Sequence, residues 1–181
     1  LTSSYVFDSA EMAAQSFSNE IEGNVYSRYT NPTVRCFERR LAMLEEGEQA
    51  VATSSGMAAT LAIIMALLES GDHIICSRDV FGSTRVLMDQ YIIKFGVEVS
   101  YVPLTNLSAW QDAVKTNTKM FFCETPSNPL SEIADLEGLS QKAKQADALL
   151  VVDNCFCPPS TTKETTAPKS VCCFFARLCP G

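Results

Sequence analysis

Along the middle of the chain the apolar positions change period again and again. After Asn31-Pro32, a cap residue followed by a first-turn proline, Phe37, Leu41 and Leu44 recur at helical spacing until Gly47. The segment Gln49 to Thr53 reads as a short strand handing over at Ser54-Ser55-Gly56-Met57 to a long apolar helix, which Ser70-Gly71-Asp72 ends. From there strands are predicted at His73–Cys76, Val97–Val102, Lys119–Cys123 and Ala148–Val152. Helices are predicted between them at Ser83–Phe95, around Trp110, and at Leu136–Ala146.

The strands are continuous apolar runs rather than alternating ones, and each is separated from the next by a helix. Such runs are buried on both faces, so the pattern predicts an α/β fold with a mostly parallel sheet covered by helices. There is no internal repeat and no linker before Pro158. The pattern then stops. The 24 residues from Pro158 to Gly181 hold four Pro, four Thr and three Cys and show neither period. The expected organisation is one partial domain over 1–157, with an interface arm at its N-terminus, and a disordered tail over 158–181.

Composition narrows the picture little. Lys and Arg number 14 against 21 Asp and Glu, a net charge of −7 with no basic face, which argues against nucleic acid or an anionic membrane as partner. The apolar run Met57–Leu68 is too short to span a bilayer. No signal peptide opens the chain, and Leu1 reads as already inside ordered sequence, so preceding residues are expected. Of eight cysteines, Cys36, Cys76 and Cys123 stand alone in apolar or helical stretches. The other five crowd the end in a C-x-C and C-C spacing with one distant His, a poor zinc pattern. No metal site and a reducing cytoplasm are expected.

In parallel sheets, ligands bind beyond the carboxyl ends of the strands. Three positions qualify: Ser54–Met57, the loop Glu124–Asn128, and Asp153-Asn154. At Ser55-Gly56-Met57 the unpaired N–H groups of a helix start could hold a phosphate, although an ordinary cap has the same sequence. Asp153 closes a hydrophobic strand. A carboxylate buried there needs a partner, either a structural one such as a cap or an Arg, or a ligand. Asn128 could donate its amide to a ligand oxygen or simply form a turn. Tyr26 and Arg28 precede the first predicted helix in a loop. His73 and Trp110 read as core or turn residues.

Together these pieces resemble one family. "YSRYTNPT", "SSGMAA", "GDH", "VFGST", "ETPSNP" and "VVDN" occur in the order and spacing of the pyridoxal-phosphate (PLP) enzymes of cysteine and methionine metabolism, over about residues 1–157. "RDVFGST" and "VVDNCFC" are most similar to the branch acting on O-succinylhomoserine with sulfide. Cystathionine γ-synthases and γ-lyases usually carry Tyr where this chain has Phe81.

The resemblance implies PLP-dependent transferase fold type I, here an incomplete large domain. It implies a homo-oligomer, a tetramer of active dimers, acting on a small amino-acid substrate. Residue by residue, it implies that Ser55, Gly56 and Met57 hold the cofactor phosphate, and that Tyr26 and Arg28 reach the phosphate of a neighbouring subunit. Phe81 would stack on the ring, Asn128 would bind its 3-oxygen, and Asp153 would pair with its nitrogen. The implied reaction is γ-replacement, in which sulfide displaces succinate to give homocysteine. The neighbouring activities stay open, as does a non-catalytic chain that binds a full-length relative.

One expected element is absent. The family's cofactor-bearing lysine should follow Asp153 by roughly two dozen residues, after a Ser-x-Thr that also touches the phosphate. Ala176, Arg177, Leu178 and Cys179 stand there instead. Ser160-Thr161-Thr162-Lys163 comes too early, and Lys169 lacks the motif, so no catalytic residue is assigned. A frameshift or a mis-called reading frame after codon 157 is the expected origin of the tail, and this chain itself is expected to be inactive. The family's substrate-carboxylate arginine, carried by its C-terminal domain, does not follow either.

Overall fold

The computed structural model describes residues 3–157 and 170–173. The chain divides into two compact units, Leu1–Ala52 and Thr53–Gly181.

The first unit contains two helices. Helix α1 (Ala10–Phe17) starts where the Ser9 side chain accepts the Met12 N–H. Sequence reading misses this helix, which is eight residues long with Ala at three of its positions. Helix α2 (Pro32–Leu44) begins as predicted, with Asn31 Oδ1 accepting from the Thr33 and Val34 N–H groups and Pro32 in the first turn.

The segment that leads from the first unit into the second is not part of a sheet. No strand forms over residues 49–53, a correction to the sequence expectation, and Val51 is 81% exposed. A strand exists only where a ladder partner satisfies its N–H and C=O groups, and none pairs there. Helix α3 (Gly56–Leu67) follows, capped by Ser55, whose hydroxyl accepts the Ala58 N–H at 3.1 Å. Then come β1 (His73–Ser77), α4 (Gly82–Gln90), a 3₁₀ turn (Ile92–Phe95) and β2 (Glu98–Val102). Gly96 ends the turn at φ 81°, where a Cβ would also strike Ser70 Oγ. The remaining elements are α5 (Leu107–Asp112), β3 (Thr118–Glu124), α6 (Leu136–Gln145), β4 (Leu149–Asp153) and β5 (Ser170–Cys173).

The strands form one sheet in the order β2-β1-β3-β4-β5, with every pair parallel. Strand β5 departs from the expectation that no strand follows Cys157. Val171, Cys172 and Cys173 form a short apolar run that the surrounding Pro and Thr obscure in the composition. Lys163, Lys169 and the positions Ala176–Cys179 lie outside the described residues.

Alternation along the strands splits the core between two faces. Ile74, Cys76, Met120, Phe122 and Val151 point to one side and pack with Ile64, Met88 and Ile92 from α3, α4 and the 3₁₀ turn. Ile75, Phe121, Cys123, Leu150 and Val152 point to the other side and pack with Trp110 and Leu139 from α5 and α6. Because helices cover both faces, the strands carry no polar alternation. Trp110 stacks on Phe121 at 5.4 Å and donates its indole N–H to the Pro103 carbonyl, so it is the apolar anchor its position suggests.

Candidate active site at the carboxyl edge of the sheet

Parallel strands put all their carboxyl ends on one edge, so β1, β3 and β4 deliver Phe81, Asn128 and Asp153 to the same side. The start of helix α3 lies beside the start of α4, the helix that follows β1. The Thr84 hydroxyl, in the first turn of α4, contacts Met57 Sδ at 3.8 Å and ties the two helix starts together.

At the start of α3, Ser55 Oγ occupies the Ala58 N–H. The Gly56 and Met57 N–H groups have no acceptor within the helix, as for any first turn, and carry its positive end. Asn128 is partly buried in the loop after β3. That loop is folded on itself: the Ser127 N–H donates to the Glu132 carbonyl at 2.9 Å, and the Glu132 N–H donates back to Ser127 Oγ at 3.0 Å. A cleft lined by Ser127, Asn128 and Phe156 opens beside it.

Asp153 ends β4 and is buried at 2% exposure, with the Thr125 N–H bonded to its backbone carbonyl. Its Oδ1 is buried with no hydrogen-bond partner among the described residues. No ion pair there involves it either. Its pKa is pushed up to about 7, first by burial and then by the charge of Glu124, while a backbone hydrogen bond at Cys155 pulls the other way. Among the described residues this carboxylate has no cationic partner. An aromatic nitrogen that carries a proton is the kind of group that would supply one.

Sequence reading passed over Glu124 as the first residue of a loop. It is the last residue of β3, buried at 1% exposure, and lies directly opposite Asp153 in the register. One carboxylate oxygen accepts the Phe81 backbone N–H, and the other is buried without a partner. Burial raises its pKa, and that hydrogen bond opposes the rise. The signal was available, for Glu124 closes an apolar strand as Asp153 does.

Tyr26 and Arg28 belong to the first unit. The Arg28 guanidinium lies 5.3 Å from the ring centroids of both Tyr26 and Tyr29, and among the described residues it forms no ion pair. Ser55, Gly56, Met57, Phe81, Asn128 and Asp153 all fall in the second unit on one sheet edge. Cys36, Cys76, Cys123, Cys155 and Cys157 form no disulfide among the described residues. No described helix is long and apolar enough to cross a membrane.

This arrangement has a counterpart among known proteins. The profile of the Cys/Met metabolism PLP-dependent enzymes matches residues 1–166. The chain belongs to that family. It is 59% identical to the O-succinylhomoserine sulfhydrylase of Pseudomonas aeruginosa over 159 residues, 88% of this chain and 40% of that protein. It is 42% identical to an L-methionine γ-lyase of Fusobacterium nucleatum over 163 residues, 41% of that enzyme. A crystal structure of a Campylobacter jejuni protein described as an O-acetylhomoserine (thiol)-lyase superposes with a TM-score of 0.87 at 31% identity. That superposition covers 96% of this chain and 43% of the other, which carries a pyridoxyl-lysine phosphate. The fold is that of the type I PLP-dependent enzymes, and the cofactor of the family is PLP. The chain spans about two fifths of the length of these relatives.

Proposed function

We propose that the second unit binds PLP at the carboxyl edge of its sheet and that the whole protein replaces the succinyl group of O-succinylhomoserine with sulfide, giving homocysteine. The observation that carries the reading is the buried, unpartnered Oδ1 of Asp153. Bound PLP supplies an electron sink for carbanion chemistry at the amino-acid α-carbon, provided its ring nitrogen stays protonated.

Each residue then has a defined task. Asp153 holds a proton at the ring nitrogen, because a facing carboxylate favours the charged form at about 1.4 kcal/mol per pKa unit. Gly56 and Met57 offer backbone N–H groups to the phosphate, and the Ser55 hydroxyl caps the helix beside it. Asn128 donates its amide to the ring's 3-oxygen. Phe81 covers one ring face, and because it has no hydroxyl it moves no proton. Arg28, kept in place by two tyrosine rings, suits a phosphate dianion through its forked donors. It serves a neighbouring copy of the chain, with Tyr26, in a homo-oligomer.

The sulfhydrylase reading is supported by the 59% identity to the Pseudomonas enzyme, and by Phe81, a position at which, as the family resemblance implies, γ-synthases and γ-lyases usually carry Tyr. The 42% identity to a γ-lyase makes methionine cleavage the second reading. Assay of the whole protein with O-succinylhomoserine plus sulfide, with O-succinylhomoserine plus cysteine, and with methionine alone separates the three activities. Homocysteine formed from the first mixture alone is the expected result. With no lysine at the expected distance from Asp153, the chain as it stands is inactive. Borohydride treatment in the presence of PLP should leave no pyridoxyl group on any of its lysines.

A further inference from the structure

Phe81 presents a problem of precision. Its side chain is 44% exposed, so packing does not fix its ring. It is also the N-cap residue of α4, and no side chain of its own sequence neighbourhood caps that helix. A ring that must lie against a planar ligand therefore depends on how its backbone is held.

Two contacts hold it. The Phe81 carbonyl accepts from the Thr84 and Arg85 N–H groups at 2.9 and 3.2 Å, an ordinary helix start. The Phe81 N–H goes to Glu124, 43 residues away on the neighbouring strand β3. The residues leading to Phe81 are held by Arg78 N–H to the Val102 carbonyl, by Asp79, whose N–H goes to Ser77 Oγ and whose Oδ2 accepts the Leu104 N–H, and by the side chain of Val80, buried in the core cluster that holds Met120 and Phe122; none of these is a hydrogen bond from Phe81 itself. Glu124 is thus the one described group that joins Phe81 to the strand paired with β4, where Asp153 stands in register.

A buried carboxylate is an expensive acceptor for a single amide, and its second oxygen is left without a partner. Mere helix capping is served by side chains from the same stretch of chain, neutral at Ser9, Asn31, Ser55 and Asn106 and an exposed carboxylate at Asp135, and at none of them by a buried charge from another strand. We infer that Glu124 is a positioning residue of the cofactor site: by accepting the Phe81 N–H it fixes the ring-covering side chain relative to Asp153. The inference rests on the PLP reading above.

The test uses the chain with pyridoxamine 5′-phosphate, which needs no lysine to bind. The readouts are its dissociation constant, the induced circular dichroism of its bound ring, and amide hydrogen exchange at Phe81. E124A should speed Phe81 exchange about tenfold or more, weaken binding about fivefold, and diminish the ring dichroism, while exchange in β1 and α6 stays unchanged. E124Q keeps an oxygen acceptor and should restore all three. A purely structural cap would change exchange in α4 and leave the ring dichroism of the bound ligand intact. Unchanged dichroism in E124A, or an E124Q as damaged as E124A, overturns the inference. Loss of binding in D153N but not in E124A overturns it while sparing the PLP reading. Failure of the unsubstituted chain to bind overturns both.

Discussion

The two edges of one sheet handle buried polar groups in opposite ways. At the amino edge His73 is fully buried at the start of β1, yet each ring nitrogen has a partner. Nδ1 meets Thr118 Oγ1 on β3 at 2.8 Å, and Nε2 meets Ser100 Oγ on β2 at 2.8 Å. At the carboxyl edge Glu124 and Asp153, on adjacent strands, each keep a buried oxygen with none. The first arrangement ties three strands together. The second leaves interaction capacity unused, at a cost to stability, and such a cost marks the place where a ligand is expected.

Breaking the satisfied edge should have the largest effect. H73A removes two buried hydrogen bonds and packed volume at once, and should lower unfolding stability by about 3 kcal/mol in urea titrations. Breaking the other edge should act in reverse. D153N removes a buried charge and should raise stability by about 1 kcal/mol above pH 7, while weakening pyridoxamine phosphate binding about 100-fold. A D153N chain destabilised as strongly as H73A would show that the two edges do not differ.

The pH response sharpens the contrast. The folded carboxyl of Asp153 titrates near pH 7. Between its unfolded value of about 4 and that point, the folded state holds a proton that the unfolded chain has released. This contribution to stability therefore falls as pH climbs through that window and is level above it. His73 has the opposite sign. Burial first, then the charge of Lys115, lowers its pKa, so its contribution is lost as pH falls below the unfolded value of about 6.5. Urea titrations at several pH values should show the descending component shrink in D153N to the part that Glu124, whose pKa burial also raises, contributes, while the rise toward about pH 6.5 from His73 is kept. An unaltered slope in D153N would reassign that component to other groups. The smallest effect belongs to S55A, which loses a cap bond on an exposed helix start and should cost about 1 kcal/mol by the same titration.

Much of the fold was legible because the helices of the second unit cover both sheet faces. Strands β1, β3 and β4 lie within one residue of their predicted limits, since an apolar run between helical periods has one place to go. The segment at Gln49–Thr53 failed because its apolar content is that of a strand while it has no ladder partner among the described residues. Helix α1 escaped because Ala and Met on eight residues give too weak a period. Ser170–Cys173 escaped because four residues are shorter than any window in which a period can be seen.

The sequence by itself determined the order of elements, the parallel sheet, the family, and the identity of Asp153, because each depends on residue types at fixed short spacings. Only the tertiary structure decided that Glu124 stands beside Asp153 and holds the Phe81 N–H, and that His73 finds hydroxyls on two other strands. Those pairings cross 27 to 45 residues of chain. They exist because strand register, which no local pattern encodes, brings distant residues side by side.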